Sequence, residues 1–249
     1  MKATLAVLLL LSGLVSAPVV SRAAGINLSW DACSPEGGVQ SKAFACDTNS
    51  GSSTMVGSFS LSADQPNFVG AEITIDIQAQ SDSLPSWWQF KNAGACRQGA
   101  LSVNFSFSSD PNTDCTDPWG GLATGGMGAY LTYWTTPQVP SGNANGAQVK
   151  IVAAVPSTSP IQLTAGTEYY CFKLVVSNVK TVGSGVCSGC STPVCIVLSQ
   201  ISAVQNDKTQ EDLTSPITSN ILSWQSGEEC SGANIPQNLT WGQIRSLMH

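Results

Sequence analysis

The sequence predicts an all-β protein, an antiparallel β-sandwich held together by disulfides. Three observations support this prediction. Several segments alternate apolar and polar residues with a period of two, Gly, Pro, Ser and Asn fill the connections between them, and nine cysteines are present. A period of two places successive side chains on opposite faces of a strand. No helical pattern is long enough for the crossover that a parallel sheet requires.

The first 23 residues have the pattern of an export signal. Lys2 supplies a positive start, residues 3–15 form an almost unbroken apolar run, and small residues precede Ala24. A run of this length falls short of the ~20 residues that a membrane-spanning helix needs. We therefore expect a secreted protein, extracellular or held at the cell surface, with no membrane span.

The strands are expected mainly in residues 51–205, which we predict to be the sandwich domain. Its clearest strand is 69–79, where Val, Ala and Ile alternate with Gly, Glu, Thr, Asp and Gln. Further strands are predicted at 54–61, 101–107, 129–134, 147–155, 169–177 and 195–204.

Two flanks differ from this pattern. Residues 24–50 are turn-rich and contain two cysteines, which predicts a disulfide-stapled lead-in. Residues 206–249 are polar, and we expect them to end in a short helix that Thr240 caps.

Cysteines in an exported chain predict disulfides before metal sites. Cys33 with Cys46, and Cys96 with Cys115, each enclose a Gly/Ser/Asn/Pro-rich segment, so these two short-range disulfides are predicted. Cys171 lies in an apolar strand and is predicted to be a free, buried thiol. The partners of four further cysteines stay open: Cys187, Cys190, Cys195 and Cys230.

The C-x-x-C spacing of Cys187 and Cys190 also suits a redox pair or a zinc knuckle. A redox pair lies at a helix N-terminus in an α/β fold, and a zinc site needs a fourth ligand. The sequence predicts neither a helix nor such a ligand near these residues, which favours structural disulfides.

Two blocks resemble strands of known sandwich families. VGAEITIDIQA at 69–79 and LTAGTEYYCFKLVVSN at 163–178 resemble the early and late strands of cohesin and carbohydrate-binding modules. This resemblance implies a cohesin-like or jelly-roll-like sandwich that binds protein or carbohydrate. Blocks such as LPSWWQFKNAGACRQGALS and VCSGCSTPVCIVLSQI are similar to a group of uncharacterised exported bacterial proteins, which implies no activity.

Composition excludes several classes of partner and chemistry. The chain has 10 basic and 16 acidic residues, whereas nucleic acids and anionic membranes select a basic face. His249 is the single histidine, so a core site cannot use a histidine base or metal ligand. Glu72 and Asp76 share one strand face, and nothing predicts two carboxylates meeting across a cleft, as glycoside hydrolysis requires. We therefore predict no enzyme and no required cofactor.

An acidic loop is the best candidate for a metal site. Its oxygen donors at alternating positions suit a hard cation such as Ca²⁺. The loop lacks the glycine and the final carboxylate of an EF-hand, and a solvated loop beside a disulfide is the alternative. The candidate ligands are Asp110, Asn112, Asp114 and Asp117.

Three tryptophans are candidates for binding a glycan. Trp87, Trp88 and Trp119 lie in loop-like segments, where exposed rings stack on sugar faces. The alternative is that the rings close the ends of the sandwich. Adjacent residues on a strand point to opposite faces, so one ring of the Trp87–Trp88 pair would then belong to the core.

These observations favour an exported, non-enzymatic binding or cell-surface module that recognises a carbohydrate or an extracellular protein. The alternative is a self-assembling structural component of a surface layer or matrix. Few lysines guard the predicted strand edges, which suits edge-to-edge packing.

Overall fold

The computed structural model describes residues 24–90, 95–107, 115–132, 145–225 and 230, which form an all-β protein. The strands within these ranges are β1 (Gly25–Trp30), β2 (Ser41–Lys42), β3 (Ser52–Ser60), β4 (Gln65–Ala79), β5 (Leu101–Asn104), β6 (Thr124–Thr132), β7 (Gly146–Ala154), β8 (Ile161–Leu163), β9 (Glu168–Ser177), β10 (Val194–Gln205), β11 (Gln210–Leu213) and β12 (Ile221–Trp224). Within the same ranges, helical structure is confined to the 3₁₀ turns Ser34–Glu36 and Ser86–Trp88, and no helix could cross a membrane.

The strands form two sheets. The smaller sheet has the order β1-β3-β9-β5, and the larger has the order β2-β12-β10-β4-β7-β6. Strand β11 pairs with the end of β10, and β8 pairs with the start of β4. All neighbours are antiparallel except the two-residue pairing of β12 with β2. The predicted antiparallel sandwich is confirmed.

The core lies between the two inward faces. Ile73, Ile75 and Ile77 of β4 are at most 2% exposed, as the period-two pattern predicts. The register places Ile73 between Ile151 of β7 and Ile201 of β10, which are also buried. Burial of each such side chain stabilises the fold by about 1.5–3 kcal/mol. Aromatic side chains of the smaller sheet complete the same apolar cluster.

Segment 214–220 covers the free edge of β1 as it passes from β11 to β12. The amide of Ile26 donates to the Ser215 carbonyl over 2.9 Å, and the amide of Leu28 donates to the Ser219 carbonyl over 2.8 Å. Asn27 Oδ1 accepts the amide of Ser219 at 3.1 Å. As a result, every residue of β1 is buried.

The fold therefore extends beyond the predicted 51–205 boundaries. Strand β1 is an integral part of the smaller sheet rather than a separate lead-in. Strands β11 and β12 add part of the polar C-terminal segment to the larger sheet. The predicted signal segment and the predicted C-terminal helix lie outside the described residues.

Four disulfides connect the eight cysteines predicted to be oxidised, and Cys171 is the free, buried thiol. The two predicted short-range pairings are wrong. The observed pairs are Cys33–Cys115, Cys46–Cys190, Cys96–Cys187 and Cys195–Cys230.

Topology explains why proximity in sequence is misleading. Cys33 follows β1 and joins a small apolar cluster with Val56 and Tyr170 of the smaller sheet. By Cys46 the chain has passed through β2, which belongs to the larger sheet. The two cysteines therefore meet different partners.

Candidate binding surface

The outer face of the larger sheet presents mainly polar side chains. It is formed by alternate residues of β4, β7, β10 and β11, whose intervening residues point into the core. We call this set the polar face. Its members are Glu72, Thr74, Asp76, Gln78, Gln148, Lys150, Val152, Val197, Ser199, Gln200, Ser202 and Asp212.

Asp76 lies at the centre of a hydrogen-bonded row. Gln148 on β7 donates through Nε2 to Asp76 Oδ1 over 2.8 Å. Ser199 on β10 donates through Oγ to Asp76 Oδ2. Ser199 occupies a bulge in the register of β10 against β4, which brings its hydroxyl within reach. Both carboxylate oxygens are thus engaged within the protein.

Lys150 is the cation of the polar face, and it lies one row away from Asp76. Its Nζ donates to Thr74 Oγ1 over 2.5 Å. Burial of the half-buried ammonium lowers the pKa of Lys150, while the negative charges of Asp76 and Glu72 raise it. The positive charge is therefore partly neutralised by the two carboxylates on the neighbouring strand.

The third carboxylate of the polar face, Asp212, is also engaged. Ser202 donates through Oγ to Asp212 Oδ1 over 2.6 Å, and Gln210 donates through Nε2 to the same atom over 3.0 Å. The bond from Ser202 connects β10 to β11 on the solvent side, and the bond from Gln210 lies within β11.

Glu72 and Val152 form an accessible part of the polar face. They are directly opposite each other on β4 and β7. Glu72 is exposed, and Val152 keeps 46% of its surface accessible. Among the described residues, no hydrogen bond or ion pair engages the Glu72 carboxylate. A free carboxylate beside an apolar group gives a contact point for a macromolecule.

The three tryptophans predicted to stack on sugars are not exposed. Trp87, Trp88 and Trp119 each have 0% of their surface accessible. Trp87 and Trp88 lie in a 3₁₀ turn rather than on a strand, so both rings turn inward. Trp119 donates its indole N–H to the carbonyl of Cys171 over 2.9 Å. A glycan platform made of these rings is therefore inconsistent with the structure.

The tryptophan turn instead closes one end of the sandwich. The Trp87 and Trp224 rings lie 4.9 Å apart, and the buried Arg97 stacks 3.6 Å from the Trp87 ring. Arg97 also donates to the carbonyls of Trp87 and Ser177. Burial lowers the pKa of Arg97 to about 9.

Cys187 and Cys190 lie over the same turn and serve structural roles. Each forms a disulfide with a different distant segment, so they make neither a redox pair nor a zinc knuckle. Between them, Gly189 adopts a φ of +97°, and a Cβ there would approach Pro85 to 2.2 Å. The disulfides tie this loop to the segments of Cys46 and Cys96, and the amide of Trp87 donates to the Ser188 carbonyl over 2.8 Å, which holds the loop against the tryptophan turn.

The predicted calcium ligands are only partly within the described residues. Asp110, Asn112 and Asp114 lie outside them. Asp117 accepts the amide of Trp119 over 2.9 Å and the amide of Gly121 over 3.0 Å, one on each carboxylate oxygen. These bonds fix the turn before Trp119, and the calcium site stays a prediction.

A groove of about 490 Å³ separates the ends of β5 and β6. Its lining is small, apolar or neutral polar, and consists of Val103, Asn104, Phe105, Ser106, Gly121, Ala123, Thr124 and Gly125.

Sequence reasoning found the carboxylates of β4 but missed the residues that organise them. Lys150 and Val152 lie in a strand with the same alternation, which places them on the face that Glu72 occupies once the two strands pair. Ser199 gave no sequence signal, because its position depends on a bulge.

Comparisons with known proteins give fold-level likeness alone. No family model matches the chain, and no curated protein matches it. The structure is similar to the sixth cohesin of scaffoldin B from Acetivibrio cellulolyticus, solved in complex with a Cel5 dockerin, with 11% identity and a TM-score of 0.33. That alignment covers 82% of this chain and 99% of the cohesin.

The structure is also similar to the second type II cohesin module of the adaptor scaffoldin ScaA from the same organism, with 9% identity and a TM-score of 0.31. The alignment covers 76% of this chain and 82% of that module.

Proposed function

We propose that this chain is an exported, non-enzymatic binding module that recognises a partner protein through the polar face. The observation that carries the proposal is the exposed Glu72–Val152 pair at the centre of a sheet whose inner side is fully packed. Charged and apolar groups side by side on the outer face of a sheet suit another protein surface.

The arrangement favours a protein partner over a glycan. The predicted stacking rings are buried, and the exposed large apolar side chains among the described residues are aliphatic: Val39, Leu122, Val152, Val179 and Val186. A sugar-binding platform normally offers the face of an aromatic ring, whereas an interface between proteins can use an aliphatic anchor with a polar surround.

The placement of the charged groups supports binding rather than catalysis. Glu72 and Asp76 lie on one open strand face, with the Lys150 ammonium close enough to influence both. An acid–base pair for hydrolysis instead faces its partner carboxylate across a cleft.

Export is supported by the disulfides. Four disulfides between segments distant in sequence persist in an oxidising compartment. Together with the predicted signal segment, they favour a role outside the cytoplasm, either released or held at the cell surface.

The test compares two matched triple variants of the oxidised chain. The first truncates the β7 side chains of the polar face by Gln148→Ala, Lys150→Ala and Val152→Ala. The control truncates outward positions of the smaller sheet by Thr54→Ala, Ser102→Ala and Val175→Ala. Thermal unfolding verifies that both variants fold. Each protein is immobilised and exposed to proteins released by the source organism, with a glycan array run in calcium and in EDTA.

Capture of a defined protein by the wild type and the control, but not by the polar-face variant, is the expected result. Equal capture by all three proteins would overturn the proposal. Glycan binding that is independent of the polar face would instead favour carbohydrate recognition. Loss of that binding in EDTA would implicate the predicted calcium loop.

Self-assembly is a second candidate, which the strand edges favour. Strands β5 and β6 each pair with one neighbour only among the described residues, at the outer ends of the two sheets. Such edges offer unpaired backbone groups to another chain. Sedimentation distinguishes the candidates, because a binding module sediments as a monomer and a matrix component as large particles.

A further inference from the structure

We propose that the partner presents a positively charged side chain next to an apolar one, and that Glu72 and Val152 recognise this combination. The inference rests on the proposed function and specifies the chemistry of the partner. It commits to a basic protein surface rather than an acidic or neutral one.

The polar face carries more negative than positive charge. Three carboxylates, Glu72, Asp76 and Asp212, share this face with one ammonium, Lys150. The face is therefore negative overall. Interfaces between proteins place complementary potentials against each other, so a basic partner is favoured.

Two of the three carboxylates are engaged by hydrogen bonds within the protein, and the Glu72 carboxylate is available. Asp76 accepts from Ser199 and Gln148, and Asp212 accepts from Ser202 and Gln210. Contact of a partner with these groups would compete with bonds that stabilise the fold. Glu72 keeps its acceptor capacity, because no described residue donates to it.

The apolar neighbour of Glu72 is Val152. Val152 lies directly opposite Glu72, and such cross-strand neighbours have Cβ atoms about 4.5–5.5 Å apart. A partner side chain seated on Val152 would exclude water from the carboxylate. A charge pair becomes stronger as its surroundings lose water. Val152 therefore strengthens the recognition that Glu72 provides.

The experiment selects peptides from a random library displayed on phage, using the immobilised oxidised chain as bait. Glu72→Lys serves as the counter-selection bait, and Asp82→Lys is its matched control because Asp82 is an exposed carboxylate in the loop after β4. Val152→Ala is paired with Val179→Ala, since Val179 is 41% exposed and lies outside the polar face. Affinities of the selected peptides are measured at two salt concentrations.

We expect selected peptides to carry Lys or Arg beside an apolar residue. Their affinity should fall about tenfold or more with Glu72→Lys and several-fold with Val152→Ala, and it should fall as salt rises. The two control variants should bind as the wild type does.

The possible failures are distinguishable. Acidic or uncharged peptides that bind the polar face would overturn the charge inference and leave the proposed function standing. Peptides that bind the Glu72→Lys, Val152→Ala and β7 triple variants as tightly as the wild type would overturn both the charge inference and the proposed function. Unchanged thermal unfolding of Glu72→Lys separates lost recognition from lost folding.

Discussion

Substitution of Gly57 by alanine tests the packing of the two strands at the centre of the smaller sheet. Gly57 on β3 pairs directly with Phe172 on β9, and the Phe172 ring is fully buried against it. A Cβ at Gly57 would lie 2.1 Å from Cε1 and 2.2 Å from Cζ of that ring. Carbon atoms in favourable contact are about 3.5–4.0 Å apart, so the ring would have to move by more than an ångström.

The expected cost follows from two opposing terms. Overpacking a dense core costs about 1–3 kcal/mol, and a strand alanine regains about 0.5–1 kcal/mol relative to glycine. We therefore expect Gly57→Ala to lower the free energy of unfolding by about 1 kcal/mol, the difference between the two terms. Gly126→Ala is the matched control, because it also lies in a strand and its Cβ would meet no atom within 4 Å. We expect the control to be neutral or stabilising by up to about 1 kcal/mol.

Denaturant unfolding followed by tryptophan fluorescence measures both variants and a double-mutant cycle with Phe172→Ala. Alone, Phe172→Ala should cost about 3–5 kcal/mol. In the Gly57→Ala background it should cost about 2 kcal/mol less, because the ring that clashes is gone. Equal stability of Gly57→Ala and Gly126→Ala, or additive effects in the cycle, would refute the reasoning.

Two further predictions concern the cysteines. Burial raises the pKa of the Cys171 thiol, so its contribution to stability is complete below the unfolded pKa of about 8.5 and is lost as pH rises above it. Above that pH the free energy of unfolding should therefore fall by up to about 1.4 kcal/mol per pH unit. Denaturant midpoints measured from pH 7 to 10 should fall less steeply for Cys171→Ala than for the wild type, and identical pH profiles would contradict the prediction. Removal of the Cys46–Cys190 disulfide by a double serine substitution should lower the free energy of unfolding by about 4 kcal/mol in a loop-entropy description, because the Cys96–Cys187 disulfide already shortens the loop that Cys46–Cys190 closes. A loss below about 1 kcal/mol would indicate that the unfolded chain keeps residual structure.

How much of the fold the sequence predicts depends on whether one face of a strand is solvated. Strand β4 shows a clear alternation because its outward side chains are polar and Glu72 remains exposed, and the predicted range 69–79 lies within the observed Gln65–Ala79. Strand β1 also alternates, with Ile26, Leu28 and Trp30 against Asn27 and Ser29, but it is short, and segment 214–220 and the Asn27–Glu168 hydrogen bond of 2.8 Å bury its polar side chains too. A polar residue buried by a distant segment is indistinguishable in sequence from a loop residue.

Site prediction failed where it treated local spacing as three-dimensional proximity. Cys33 and Cys46 are close in sequence but lie beside different sheets, and adjacent Trp87 and Trp88 are both buried because their segment is a 3₁₀ turn. The polar alternation of β4 did predict that Glu72 points away from the core, but it did not mark Glu72 as a binding residue. Its neighbours could not be identified without the register of β7 and β10, because that register depends on the pairing of the whole sheet.

The two sheets differ in what covers their outer sides, and this difference limits where binding can occur. On the smaller sheet, Val56 and Tyr170 are buried beneath Phe107 and the Cys33–Cys115 disulfide. On the larger sheet, Val152 of β7 remains 46% exposed. Backbone hydrogen bonds hold β7 to β4 on one side and to β6 on the other. Because β7 is held in this way, a partner would meet an ordered surface and little ordering entropy would oppose association. Variants at Glu72 and Val152 should then raise the dissociation rate of the complex and leave the structure of the free chain unchanged.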